Sequence, residues 1–158
     1  MNILALDQSL QCSGYAIFKN KQLINKGHFK IKTSLPIEER LGQIWKSINE
    51  LRREYEIDYI VFEDIQSQNN AETYKKLAYV QSAIYLYCYF NEIQCSVLKP
   101  TQWRSLLNIK GRKREEQKQA AIEYVKNEYK VNCTSDEADA ICIGKAYLVE
   151  QNKTVSAF

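Results

Sequence analysis

The 158-residue chain is 45% hydrophobic and 26% charged, with a formal net charge of +3. That length favours one domain, 1–158, around one core, and the balance is that of a soluble globular protein, not a disordered or fibrous one. No apolar run nears the roughly 18–20 residues that span a bilayer, and the start Met1-Asn2-Ile3-Leu4-Ala5-Leu6-Asp7 lacks the basic segment of a secretory signal, so a cytoplasmic protein without a membrane partner is expected.

The elements follow from periodicity. Asn2–Asp7 reads as a strand buried on both faces. A turn at Gln11-Cys12-Ser13-Gly14 leads to Gly14–Lys19, and the turn Lys19-Asn20-Lys21 leads to the alternating run Gln22–Ile31. These three form a β-meander. Pro36 opens a helix with Ser34 as the expected N-cap and Glu38 and Glu39 in its first turn. Leu41, Ile44, Ile48 and Leu51 carry it to about Tyr55. Asp58–Glu63 is the fourth strand. Asn70–Phe90 is a long helix with two apolar stripes: Leu77, Val80, Ile84 and Tyr87, then Tyr74, Ala78, Tyr85 and Tyr89. One stripe can face the sheet, and the other needs a partner. Gln94–Leu98 is the fifth strand. Pro100 opens a short helix with Trp103 and Leu106, Glu115–Tyr129 is another helix, and Asp136–Glu150 ends the chain as a third. A meander joined to βαβ crossovers makes a mixed five-stranded sheet flanked by helices, an α/β ribonuclease H-like plan.

Four acids sit where such a fold would collect them. Asp7 ends the apolar run Ile3–Leu6, Glu63 ends Tyr59–Phe62, and Asp136 and Asp139 lie at i, i+3 on the last helix. A carboxylate closing a buried strand is costly without a cation, and a hard divalent ion such as Mg2+ suits a carboxylate cluster. Taken singly, Asp7 also suits the phosphate loop of an actin-like ATPase, and Asp136 and Asp139 could merely cap a helix. The five cysteines are an odd number with no C-x-x-C spacing and read as reduced thiols in the core. The one histidine, His28, reads as structural, and no Ser–His–acid set is evident.

Several stretches resemble the RuvC-type Holliday junction resolvases: Ile3-Leu4-Ala5-Leu6-Asp7-Gln8-Ser9-Leu10 with Gly14-Tyr15-Ala16; Val61-Phe62-Glu63-Asp64 leading to Asn69-Asn70-Ala71; Lys110-Gly111-Arg112-Lys113-Arg114; and Asp136-Glu137-Ala138-Asp139-Ala140. The resemblance implies a homodimeric nuclease that cuts four-way DNA junctions symmetrically and also acts on other branched DNA. It implies Asp7, Glu63, Asp136 and Asp139 as catalytic metal ligands for two Mg2+ ions, with Mn2+ as a substitute. Gln66 stands where cellular members often carry an aromatic, and Gln8-Ser9 replaces their common Pro-Gly, features more similar to the phage-borne branch. A branch-migration partner is not legible.

Arg104, Arg112, Lys113, Arg114 and Lys118 are the expected grips on the DNA backbone. Lys113 and Arg114 start a helix beside Gly111, where glycine permits close approach. Gln66, Asn69 and Asn70 form a polar loop beside Glu63 that either caps the next helix or meets DNA. The second stripe of helix 70–90 is the expected homodimer face. A ribonuclease H or YqgF-type nuclease would share the metal site, whereas an actin-like nucleotide-binding domain would need a second copy of the fold.

Overall fold

In a computed structural model, residues 1–66 and 70–155 are described. Strict alternation along the strands sorts their side chains onto two faces, and each face is covered by helices whose apolar stripes match it. The strands are β1 (Asn2–Asp7), β2 (Cys12–Lys19), β3 (Gln22–Lys30), β4 (Tyr59–Glu63) and β5 (Gln94–Leu98). The helices are α1 (Ile37–Tyr55), α2 (Ala71–Phe90), α3 (Pro100–Leu106), α4 (Arg114–Tyr129) and α5 (Ser135–Val155). The sheet runs β3-β2-β1-β4-β5. The meander β1–β2–β3 is antiparallel, and β1–β4 and β4–β5 are parallel, as the expected mixed plan requires.

Ile3 and Ala5 of β1, with Val61 of β4, face a core shared with α3, α4 and α5. Leu4 and Leu6, with Ile60 and Phe62, face the other core, shared with α1 and α2. By the same alternation Asp7 and Glu63 point to the α5 side. Gly14 pairs with Asp7, and a β-carbon there would come within 2.0 Å of the Asp136 carbonyl oxygen. Only glycine lets the start of α5 descend onto the strand pair. Gly144 does the same about two turns further along α5, where a β-carbon would meet the Phe18 ring at 2.3 Å.

The boundaries differ from the sequence reading where side chains intervene. Ser34 does not cap α1: Pro36, extended at ψ 154°, is the N-cap residue and no side chain closes the end. β2 begins at Cys12 because that residue already pairs with Lys30. The β1–β2 loop is drawn tight by Ser9, whose Oγ accepts from Gln11 N and Cys12 N, and by Ser13 Oγ, which accepts from Ser9 N. α5 continues past Glu150 because no glycine or proline stops it. All five cysteines are unbridged. Among the described residues no helix is long and apolar enough to cross a membrane.

Candidate active site

The ladder between β1 and β4 ends at Leu6↔Phe62. Asp7 and Glu63 are each one residue beyond that pair, side by side at the carboxyl ends of two parallel strands. Gln8 fixes this pairing: its Nε2 donates to the Glu63 carbonyl at 2.5 Å, and its Oε1 accepts from Glu63 N at 3.3 Å. A buried glutamine side chain thus extends the ladder one rung further. From above, α5 lowers Asp136 over Gly14 and brings Asp139, one turn later, to the same side.

The four predicted acids therefore come together, and Asp7 and Asp139 feel the charges of the others. Desolvation, then the charges of Glu63, Asp139 and Asp136, hold the Asp7 carboxyl well above the usual range, against the pull of Arg114. Desolvation and Glu63, with a further push from Asp136, raise Asp139 to about 7, while Arg104 and Lys118 oppose. Glu63 is raised by desolvation, and a hydrogen bond from Trp103 and the charges of Arg104 and Arg114 oppose it. Among the described residues no group of three or more acidic, histidine or cysteine side chains stands close enough to hold a metal ion as placed. The acids form an open cluster of oxygen donors carrying unsatisfied negative charge. That donor chemistry fits a hard divalent cation, and a bound cation would reverse the effect that raises these pKa values. The thiols fit none: burial and a hydrogen bond to Asp136 push Cys12 up to about 11, and burial lifts Cys133 and Cys142 as well.

Glu137, between the two aspartates, has another task. Its Oε2 accepts from Lys26 Nζ at 2.7 Å and from Thr134 N at 3.2 Å, and its Oε1 meets His28 Nδ1 at 2.8 Å. Thr134 Oγ1 accepts in turn from Glu137 N. This is a capping box tied to β3 by two side chains, so His28 is structural, as its strand position suggested. Burial would raise Glu137, but the bonds from Lys26, His28 and Thr134 outweigh it and hold the carboxyl low.

The predicted basic residues divide. Arg104, Arg114 and Lys118 lie within electrostatic reach of the acids. Arg112 lines, with Arg104, Lys110, Thr101 and Ser105, a groove of about 710 Å³ between α3 and the start of α4. Lys113 is the exposed N-cap residue of α4. The main chain here is less available than the sequence suggested. Glu116 Oε2 accepts from Arg112 N and Lys113 N, and Gly111 is needed for approach to the protein's own Gln117 N, 2.7 Å from a β-carbon there. Gln66 lines a second depression with Asp64, Lys99 and Thr101. Asn70 caps α2, its Oδ1 accepting from Glu72 N and Thr73 N, which leaves only its NH2 free for a ligand. Asn69 lies outside the described residues. Gln8, Trp103 and Glu137 escaped sequence reasoning, although a glutamine directly after the strand-end acid was visible.

The family model for "Crossover junction endodeoxyribonuclease RuvC" matches residues 3–146. The RuvC endonuclease of Alkaliphilus metalliredigens is 26% identical, covering 90% of each chain. That of Ehrlichia chaffeensis is 25% identical, covering 90% of this chain and 93% of its own. The structure of T. thermophilus RuvC in complex with a Holliday junction substrate superposes with a TM-score of 0.82 at 15% identity, covering 97% and 96%, a likeness that shows the ribonuclease H-like fold.

The raised Asp139 sets a pH dependence. A carboxyl whose folded pKa exceeds its unfolded one binds its proton more tightly in the folded chain. Its contribution favours folding at low pH and is lost as pH rises from 3.8 through about 7. In EDTA at about pH 8, Asp139→Asn should therefore melt higher than the wild type, by about 2–4 °C for each kcal/mol of relief. The difference should vanish near pH 4, as thermal melts across pH will show.

Proposed function

The chain belongs to the RuvC family of crossover junction endodeoxyribonucleases and is a junction-resolving endonuclease, and we propose that Asp7, Glu63, Asp136 and Asp139 are its catalytic residues. The reaction is hydrolysis of DNA phosphodiester bonds at four-way (Holliday) junctions by paired symmetric cuts, with other branched DNA as further substrates. What carries this reading is the convergence of four acids from three distant stretches on one end of one sheet face. Members of the family depend on divalent cations. Here Asp7, on the central strand, with Glu63, Asp136 and Asp139, would hold two Mg2+ ions, and Mn2+ would substitute. When bound, such ions make water a competent nucleophile at neutral pH and stabilise the leaving 3′ oxygen.

The chain's own residues do the rest. The acids orient the attack in line with the scissile bond. Their charge repels phosphate, so cations must bring the backbone close. Arg104 supports that role: its buried Nε has no acceptor among the described residues, a costly state unless a ligand accepts from it. Arg112, Lys113, Arg114 and Lys118 would continue the grip, with Gln66, Asn69 and Asn70 as further candidate contacts.

Paired cuts need two sites, and α2 offers the means. Its first stripe is buried at Val80, Ile84 and Tyr87, whereas Tyr85, Leu86, Tyr89 and Phe90 are exposed, Tyr89 at 77%. Tyr74, Tyr85 and Tyr89 of the expected second stripe are exposed beside Leu86 and Phe90, and a second copy would cover this apolar face in a two-fold homodimer.

Three outcomes are expected. Asp7→Asn should abolish junction cleavage, by about 10³-fold or more, with junction binding retained in gel shifts because removing negative charge does not weaken phosphate binding; cleavage at the wild-type rate sinks the assignment. Replacing Lys113 and Arg114 together with Ala should weaken binding to all branched DNAs alike and flatten the salt dependence by a slope of about 0.9 per lost contact. Sedimentation should find a dimer at micromolar concentration, and Leu86→Glu with Tyr89→Glu should make it a monomer.

A further inference from the structure

Trp103 belongs to α3, the short helix that begins as β5 ends. Its side chain is fully buried, in the same core as Val61, Leu98 and Ile141. A buried indole N–H needs an acceptor, and most acceptors in such a place are carbonyls. Here Nε1 donates to Glu63 Oε1 at 2.8 Å. The bond is charge-assisted when the carboxylate is ionised, and it occupies one of the two Glu63 oxygens. The Arg104 guanidinium lies over the Trp103 ring, 4.7 Å from its centroid. Gln8 meanwhile holds the Glu63 main chain on both its N–H and its carbonyl. The glutamate is therefore fixed at both ends: backbone by Gln8, carboxylate by Trp103.

Core packing alone does not explain this arrangement. Phenylalanine would fill most of the same volume without a polar atom to satisfy, and Glu63 at the strand end would be free to turn toward solvent. The bond restricts that turn and leaves Oε2 without a hydrogen-bond partner among the described residues, on a side chain whose charge acts on Asp7 and Asp139. Resting on the assignment of the carboxylates as a cation site, we propose that Trp103 is a positioning residue, presenting Glu63 to the divalent cation through its indole N–H. The indole then shares a carboxylate with the cation, so its emission reports occupancy of the site.

The test uses the full chain and Mg2+. The protein has two tryptophans; Trp45 lies on α1 in the opposite core, edge-on to Tyr87 at 5.0 Å. In Trp45→Phe, emission excited to the red of tyrosine absorption comes from Trp103 alone. Titration with Mg2+ should change it saturably without DNA present, and adding Asp7→Asn should remove the change. Trp103→Phe, in otherwise wild-type protein, should need about 10-fold more Mg2+ or greater for half-maximal cleavage, the usual range for loss of a ligand's hydrogen-bond partner. Junction affinity in EDTA should stay unchanged. A wild-type Mg2+ requirement in folded Trp103→Phe overturns the proposal. So does Trp103 emission that ignores Mg2+ at concentrations that saturate cleavage, a measurement that leaves position 103 intact and decides the matter even if Trp103→Phe does not fold. Failure of either kind beside an inactive Asp7→Asn protein leaves the carboxylate site standing; an active Asp7→Asn protein removes that site itself.

Discussion

Like charge gathered at the edge of a core is the constraint on which this architecture turns. Asp7, Glu63 and Asp139 are all held above their ordinary pKa, with desolvation as the leading cause and, for Asp7 and Asp139, the charge of Glu63 next. Every tenfold gain in a carboxylate's proton affinity is about 1.4 kcal/mol against its charged form, so the cluster opposes folding at neutral pH. The fold tolerates it because the surrounding elements are tied down by other means. Gln8 extends the β1–β4 ladder, glycines at 14 and 144 let α5 seat closely, and two apolar cores flank the sheet. Functional sites commonly hold groups in such disfavoured states.

One turn of α5 shows how partners can override burial in deciding a carboxylate's fate. Desolvation pushes Glu137 up as it does Asp139, yet its carboxyl is held low because Lys26, His28 and Thr134 all reach it. Asp139, two residues on, has no such bonds among the described residues and is pushed up to about 7. The satisfied acid anchors the helix start to β3. The anchoring contribution is present above the ordinary glutamate pKa and lost as pH falls through the depressed one. The anchor is therefore at full strength where the cluster is most strained.

The strands, the sheet plan and the four acids were legible because they rest on local signals: period-two burial, an acid closing each apolar run, and an i, i+3 pair. Those signals also carry parity, so residues 7 and 63 could be placed on the same face once the strands were parallel neighbours. The contacts that fix the site were not legible. Trp103 and Glu63 are 40 positions apart and Gln8 and Glu63 are 55 apart, and no periodicity encodes a single hydrogen bond. Ser34 was misread because a serine two residues before a proline looks like a cap, while the chain turns into α1 only at Pro36 itself. Gly111 looked like a place for DNA to approach because a glycine does not say which backbone needs the room.

The two faces of β4 join the two halves of the function. Glu63 points toward α5 and the cations of α3 and α4. Phe62, the residue before it, points to the opposite core, where its ring meets Tyr85 edge-on at 5.2 Å and 73°. Tyr85 is itself 45% exposed and belongs to the apolar face of α2. A single ring thus separates that face from the strand end that carries Glu63. Packed side chains of this kind transmit displacement because interiors are dense and have little room to absorb it. A second copy seated on α2 would bury the outer side of Tyr85 and limit the freedom of Phe62, and with it the strand end at Glu63. Pairing would then do more than set two sites at a fixed spacing. It would also stiffen each site from behind, on the side opposite to where the DNA must enter.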